Sequence, residues 1–211
     1  MTMLVRPMNR RHFLAASALA LLSPTLGAEI LQGSSAKMHG QSDRAMWLAV
    51  QRLTGVRLAK PGDLTQVVFF IDLNCPACAL LWKWFDTPEH HRWATQWIPV
   101  AYMDKSSEGR AISLLRASDP YTALSHNYRD FDYDARRGNL PEAYAPTFQE
   151  QSAIHRNTRF WRGALFGTTP LMLYRNNGGT YWQLLGLYPE PEMSGYFSKL
   201  APSRLEAYPP R

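Results

Sequence analysis

Two cysteines stand three positions apart in Cys75-Pro76-Ala77-Cys78, and the chain of 211 residues holds no others. Three chemistries use such a pair. As a structural disulfide it would close a four-residue loop and remove roughly 2 kcal/mol of chain entropy, a staple that a chain of this length does not need. As half of a metal site it requires two more ligands, and His90 and His91 are the nearest candidates. As a redox dithiol it requires one acidified sulfur and a second within reach. The flanking residues favour the third reading.

Upstream, Gln66 to Ile71 is β-branched and aromatic with no charge, which predicts a buried central strand. Downstream, Cys78 to Phe85 lacks any helix breaker and spaces Leu81, Trp82 and Phe85 to share one helical face. The pair therefore sits at a strand-to-helix turn, with Asn74 or Cys75 as N-cap and Pro76 in the first helical turn. A sulfur there faces free N–H groups and about half a positive charge of the helix dipole. This predicts a lowered pKa for Cys75, the expected nucleophile, with Cys78 one turn deeper to resolve the mixed disulfide.

Phe70 to Cys78 resembles the active-site strand and turn of the periplasmic DsbC/DsbG group of thiol:disulfide interchange proteins, including an acidic residue, here Asp72, three before the first cysteine. Gly167 to Tyr174 resembles that group's cis-proline loop and following strand. The Asn176-Asn177-Gly178-Gly179 turn, a strand at Tyr181 to Leu185 and Gly186-Leu187-Tyr188-Pro189 continue the likeness, which spans roughly 66 to 200. Trp97 to Tyr102 and Ser113 to Pro120 run like the group's intervening strand and helical insert. The resemblance implies a thioredoxin-like α/β fold, a central mixed sheet flanked by helices, with a helical insert between the CxxC helix and the cis-proline strand. It implies a cis Thr169–Pro170 bond, the bond type at which cis is cheap, and a Thr169 backbone that pairs with an extended substrate. Pro76 and Ala77 would support the dithiol. Asp72 would either ease proton transfer from Cys78 or only end the strand and tie the turn. The implied activity is disulfide exchange with cysteine-containing envelope proteins. It would need no cofactor beyond the Cys75–Cys78 couple, and a membrane thiol reductant or oxidant would reset it. Reduction of sulfenylated cysteines at Cys75 is a variant of the same chemistry. The rivals are a copper- or zinc-binding carrier using the histidines and a redox-inert interaction domain.

The surrounding chain must deliver this site to an oxidising compartment. Arg10-Arg11-His12-Phe13-Leu14, the apolar run Ala15 to Leu22 and the small residues Gly27 and Ala28 read as a signal peptide over 1–28, of twin-arginine type, cleaved near Ala28 into the periplasm. Residues 1–28 hold Arg6, Arg10 and Arg11 and no acid, so their loss takes the net charge from +6 to +3. The remaining cations are scattered, which argues against a nucleic-acid partner. No apolar run reaches the length of a membrane span.

Residues 29–65 read as a polar linker near Gly33-Ser34-Ser35 and a helix from Asp43 to Leu53 with Met46, Leu48, Val50 and Leu53 as apolar positions. That stretch is too short for the family's dimerisation domain, so a monomer is expected rather than a V-shaped dimer. The catalytic domain spans 66–202. Its insert, Glu108 to Arg162, is helical with breaks at Pro120, Gly138, Pro141 and Pro146, and Asp130 to Arg137 reads as an exposed connection. The last helix is expected over Pro191 to Leu200, ahead of a tail at 203–211.

Overall fold

The computed structural model describes residues 34–37, 40–164 and 167–203. The signal peptide, its cleavage site and the tail beyond Ser203 lie outside the described residues. Six strands form one mixed sheet in the order β1-β6-β5-β3-β4-β2. They are β1 (Ser34–Lys37), β2 (Val56–Leu58), β3 (Val67–Ile71), β4 (Thr95–Pro99), β5 (Leu171–Arg175) and β6 (Tyr181–Leu185). Central β3 runs parallel to β4 and antiparallel to β5, and all five of its residues are buried.

Alternation along β3 divides the core. Val67, Phe69 and Ile71 enter one apolar cluster, and Val68 and Phe70 enter the other. The first face is covered by α2 (Pro76–Phe85), α3 (Ser107–Arg116), α4 (Pro120–Tyr128) and α6 (Glu192–Phe197), through Trp82, Phe85, Ile112, Leu124 and Phe197. Phe69 stacks on Trp97 with ring centroids 4.2 Å apart. The second face is covered by Trp47 and Val50 of α1 (Gly40–Gln51) and Trp161 of α5 (Phe148–Ala164). Burying each such side chain is worth about 1.5–3 kcal/mol.

Several boundaries differ from the sequence reading, each for a backbone reason. Ser34 and Ser35 are not linker, since Ser34–Lys37 adds a strand antiparallel to β6. Helix α1 begins at Gly40 and ends at Gln51, and Leu48 points outward at 45% exposure while Trp47 and Val50 are buried. Positions 46, 47, 50 and 53 share a face at helical spacing, and 48 falls off it. Strand β4 occupies Thr95–Pro99 rather than Trp97 to Tyr102. Beyond Pro99 the N–H groups of Ala101, Tyr102 and Met103 turn to the Thr158 hydroxyl and the Asp72 carboxylate instead of a neighbouring strand. Pro120 stands just after the break at 117–119 that ends α3. It opens α4, whose N-cap Asp119 accepts from Tyr121 N–H and Thr122 N–H. Helix α6 stops at Phe197 because the chain returns to pair with β5, Ala201 N–H donating to Arg175 at 2.8 Å.

Candidate active site

Strand β3 delivers the chain to its carboxyl end, where Asp72 to Cys75 turn into α2. Cys75 is the N-cap of that helix, with φ −87° and ψ 117°, and Pro76 lies in the first turn, where no N–H is missed. The Cys78 N–H donates to Cys75 Sγ at 3.4 Å, so the sulfur takes the place of a capping oxygen. Both cysteines are free thiols. Cys75 retains 4% exposure and Cys78 none.

Across the turn stands the loop before β5. The Thr169–Pro170 bond is cis, and the Cys75 thiol reaches the Thr169 carbonyl oxygen at 3.5 Å. The four residues singled out for their chemistry, Cys75, Cys78, Thr169 and Pro170, thus converge although the two pairs are more than ninety residues apart in the chain.

The environment separates the two thiols. A hydrogen bond from the Cys78 side chain, first, and others from the Thr169 side chain and the Cys78 N–H hold the Cys75 pKa below its ordinary value, against the opposing effect of burial. Complete burial, reinforced by Cys75, pushes the Cys78 thiol well above its ordinary value. The two thiols are therefore shifted in opposite directions, Cys75 down and the fully buried Cys78 up. Pro76 and Ala77 are half-buried on the same turn.

Beneath the turn lies a buried polar network. The Asp72 carboxylate accepts from Asn74 N–H (2.9 Å) and Ser107 Oγ (2.8 Å) on one oxygen, and from Tyr102 N–H (2.9 Å) and Met103 N–H (3.1 Å) on the other. Burial nevertheless raises its pKa, the larger effect against those four bonds. Asn74 donates to Ser106 and Ser107 and accepts from Gly138 N–H. The Tyr128 hydroxyl donates to the Asp72 carbonyl, and the Asn127 amide to that of Leu73. The backbone around Cys75 is held from three elements at once.

Sequence reasoning missed Tyr102, Asn74, Ser107 and Gly138 as supports of the site. Asn74 had appeared only as an alternative N-cap, and Gly138 only as a break in the insert. Its backbone passes so close to the turn that an added Cβ would lie 2.3 Å from Asn127 Oδ1 and 2.4 Å from the Leu73 carbonyl.

His90 and His91 sit past the far end of α2, a ten-residue helix about 15 Å long. Nδ1 of His90 meets the Trp84 carbonyl and His91 pairs with Asp86. Among the described residues, no three His, Cys, Asp or Glu side chains gather to hold a metal ion. Nor is any described helix long and apolar enough to cross a membrane.

A central mixed sheet with helices on both faces, a cysteine pair capping the helix after the central strand and a cis-proline loop against the first sulfur constitute the thioredoxin-like fold. Solved structures agree. The chain is similar to ScsC of Proteus mirabilis in a transitional conformation, with a TM-score of 0.54 at 17% identity over 77% of this chain and 80% of that one. It is similar to the same protein in a compact conformation (0.53, 17%, 81% and 82%) and to its catalytic domain (0.50, 14%, 75% and 96%). No protein-family model and no curated protein sequence matches the chain.

Proposed function

We propose that the chain is a periplasmic thiol:disulfide oxidoreductase of the DsbC/DsbG kind, acting on cysteine-containing envelope proteins through Cys75 and Cys78. The observation that carries this reading is the placement of Cys75: an N-cap sulfur with a lowered pKa, facing the Thr169 carbonyl, with a protonated thiol buried behind it.

In the reducing direction, the Cys75 thiolate attacks one sulfur of a substrate disulfide. A Cys75–substrate bond forms, and the other substrate sulfur leaves as a thiolate and takes up a proton. Cys78 then loses its proton and attacks Cys75 Sγ. The Cys75–Cys78 disulfide forms and the second substrate thiol is released. Two electrons pass from the dithiol to the substrate. Oxidation of a substrate dithiol is the same sequence reversed, and a membrane thiol partner returns the site to its starting state. The Thr169 backbone receives the substrate segment as a short antiparallel pairing.

The test is trapping. Cys78→Ala is expected to accumulate mixed disulfides with envelope proteins, seen as higher-mass bands that vanish under reductant. Cys75→Ala is expected to trap none and to lose insulin reduction. Equal residual activity in the two variants overturns the assignment.

A further inference from the structure

The mixed-charge segment Asp130 to Arg137 is more than a connection. Phe131 is buried in the core, and Asp132 and Arg137 pair through two backbone hydrogen bonds of 3.0 and 2.9 Å. Asp132 Oδ1 accepts from Ala135 N–H, closing a tight exposed turn. Next in the chain, Gly138 N–H donates to Asn74 Oδ1, which staples the turn to the residue preceding Cys75. At its tip Arg136 adopts φ +49°, a left-handed conformation that a side chain of this kind rarely takes.

Between this turn and the catalytic one lies a cavity of about 420 Å³, lined by Asn74, Lys105, Ser106, Arg136 and Arg137 together with two acids. That volume is in the range of small-molecule and peptide sites. Asp104 accepts from Ser106 N–H and interacts electrostatically with Arg137, and Glu142 packs against Gly109 and interacts with Arg110. None of the three cations makes an ion pair or a side-chain hydrogen bond among the described residues. The lining therefore carries three cations against two acids, and it includes Asn74, the residue that precedes Cys75.

We infer that the cavity is a subsite for carboxylate side chains flanking the client's reacting cysteine, so that exchange favours acidic client segments. The inference rests on the exchange reading of Cys75, and guanidinium groups suit it because they bind carboxylates in a fixed fork. Aspartate-flanked peptides are the occupant, by charge complementarity and because Asn74, next in the chain to Cys75, lines the cavity.

The experiment uses the full chain carrying Cys78→Ala and peptides activated as 2-pyridyl disulfides. Cys75 attacks the peptide sulfur and releases pyridine-2-thione, which is read by absorbance, and mass spectrometry checks the adduct. Three peptides carry aspartate, serine or lysine on either side of the cysteine. At about 10 mM ionic strength, where charges act over ~30 Å, the aspartate peptide is expected to react about tenfold faster than the serine peptide and the lysine peptide slower. At about 1 M, where the range is ~3 Å, the ratio is expected to fall towards one. It is also expected to fall towards one in the Lys105→Gln, Arg136→Asn, Arg137→Gln variant, where asparagine tolerates the left-handed backbone. Equal rates for all three peptides at low salt, or an aspartate preference that the variant keeps, overturn the inference. If no peptide forms a Cys75 adduct, the exchange reading itself fails and takes this inference with it.

Discussion

The hydroxyl of Tyr102 lies 2.8 Å from that of Thr169, whose carbonyl oxygen lies 3.5 Å from Cys75 Sγ. The Tyr102 N–H is held by Asp72, and its ring packs on Trp161 at 4.6 Å between centroids. The Trp161 indole N–H in turn donates to the Thr168 carbonyl. Tyr102 thus links, by its N–H and its hydroxyl, the carboxylate under the cysteine turn to the loop across from it. The hydroxyl pair fixes the Thr169 side chain, which helps hold the Cys75 pKa below its ordinary value. Tyr102→Phe is expected to raise the Cys75 pKa and to slow mixed-disulfide formation about two- to tenfold, the worth of one neutral hydrogen bond. The pH profile of Cys75 alkylation is the deciding readout, since a tyrosine that only packs would leave it unmoved.

The two thiols are expected to alkylate in different pH ranges. Iodoacetamide should modify Cys75 with a midpoint below the ordinary thiol value of 9.0 and leave Cys78 unmodified until well above it. Because the first cause of the Cys75 shift is the Cys78 side chain, Cys78→Ala is expected to move the Cys75 midpoint upward. Linkage gives the matching signs for stability. The Cys75 contribution is complete above 9.0 and lost as pH falls through its lowered folded value. That of Cys78 is present below 9.0 and lost as pH rises through its raised one.

Ser107→Ala should destabilise the protein by about 1–3 kcal/mol, because it strips a donor from a buried carboxylate. Asp72 Oδ1 would retain only the Asn74 N–H, and Asn74 itself would lose an acceptor. The Asp72 pKa is already raised by burial, so its contribution is present below 3.8 and lost as pH rises through the folded value. Removing a donor raises that value further. The penalty should therefore be larger near pH 7 than near pH 4, as urea midpoints at the two pH values would show.

Gly138→Ala tests how tightly the insert is docked on the turn. The new methyl would collide with the Asn127 amide and the Leu73 carbonyl, neither of which can retreat without breaking the bond between them. Overpacking of this kind costs about 1–3 kcal/mol. The expected result is a lowered denaturation midpoint with slower Cys75 exchange, whereas Gly163→Ala, with open space around it, should show neither.

Much of the site was legible because its determinants are local. The uncharged run ending at Ile71, the proline after Cys75 and the spacing of Leu81, Trp82 and Phe85 dictate strand, cap and helix within some twenty residues. The placement of Thr169–Pro170 followed from a resemblance and not from any pattern in those residues. The outward turn of Leu48 was not legible because a short amphipathic helix offers two adjacent stripes, and only the sheet it packs on chooses between them. Ser34–Lys37 read as linker because an edge strand is specified by an open neighbour, here β6, more than by its own composition.

Tyr102, Asn74, Ser107 and Gly138 carry no such local signature. Their bonds join residues 30 to 64 positions apart, and each exists because parallel pairing of β3 with β4 brings the chain after both strands to the same end of the sheet. Hydrophobic periodicity tells each segment which side to bury, so the sequence by itself determined that a cysteine pair would cap a helix behind a buried strand. Which polar groups would surround those sulfurs was decided only in the tertiary structure, because a hydrogen bond is directional and short-ranged and depends on where distant backbone lies.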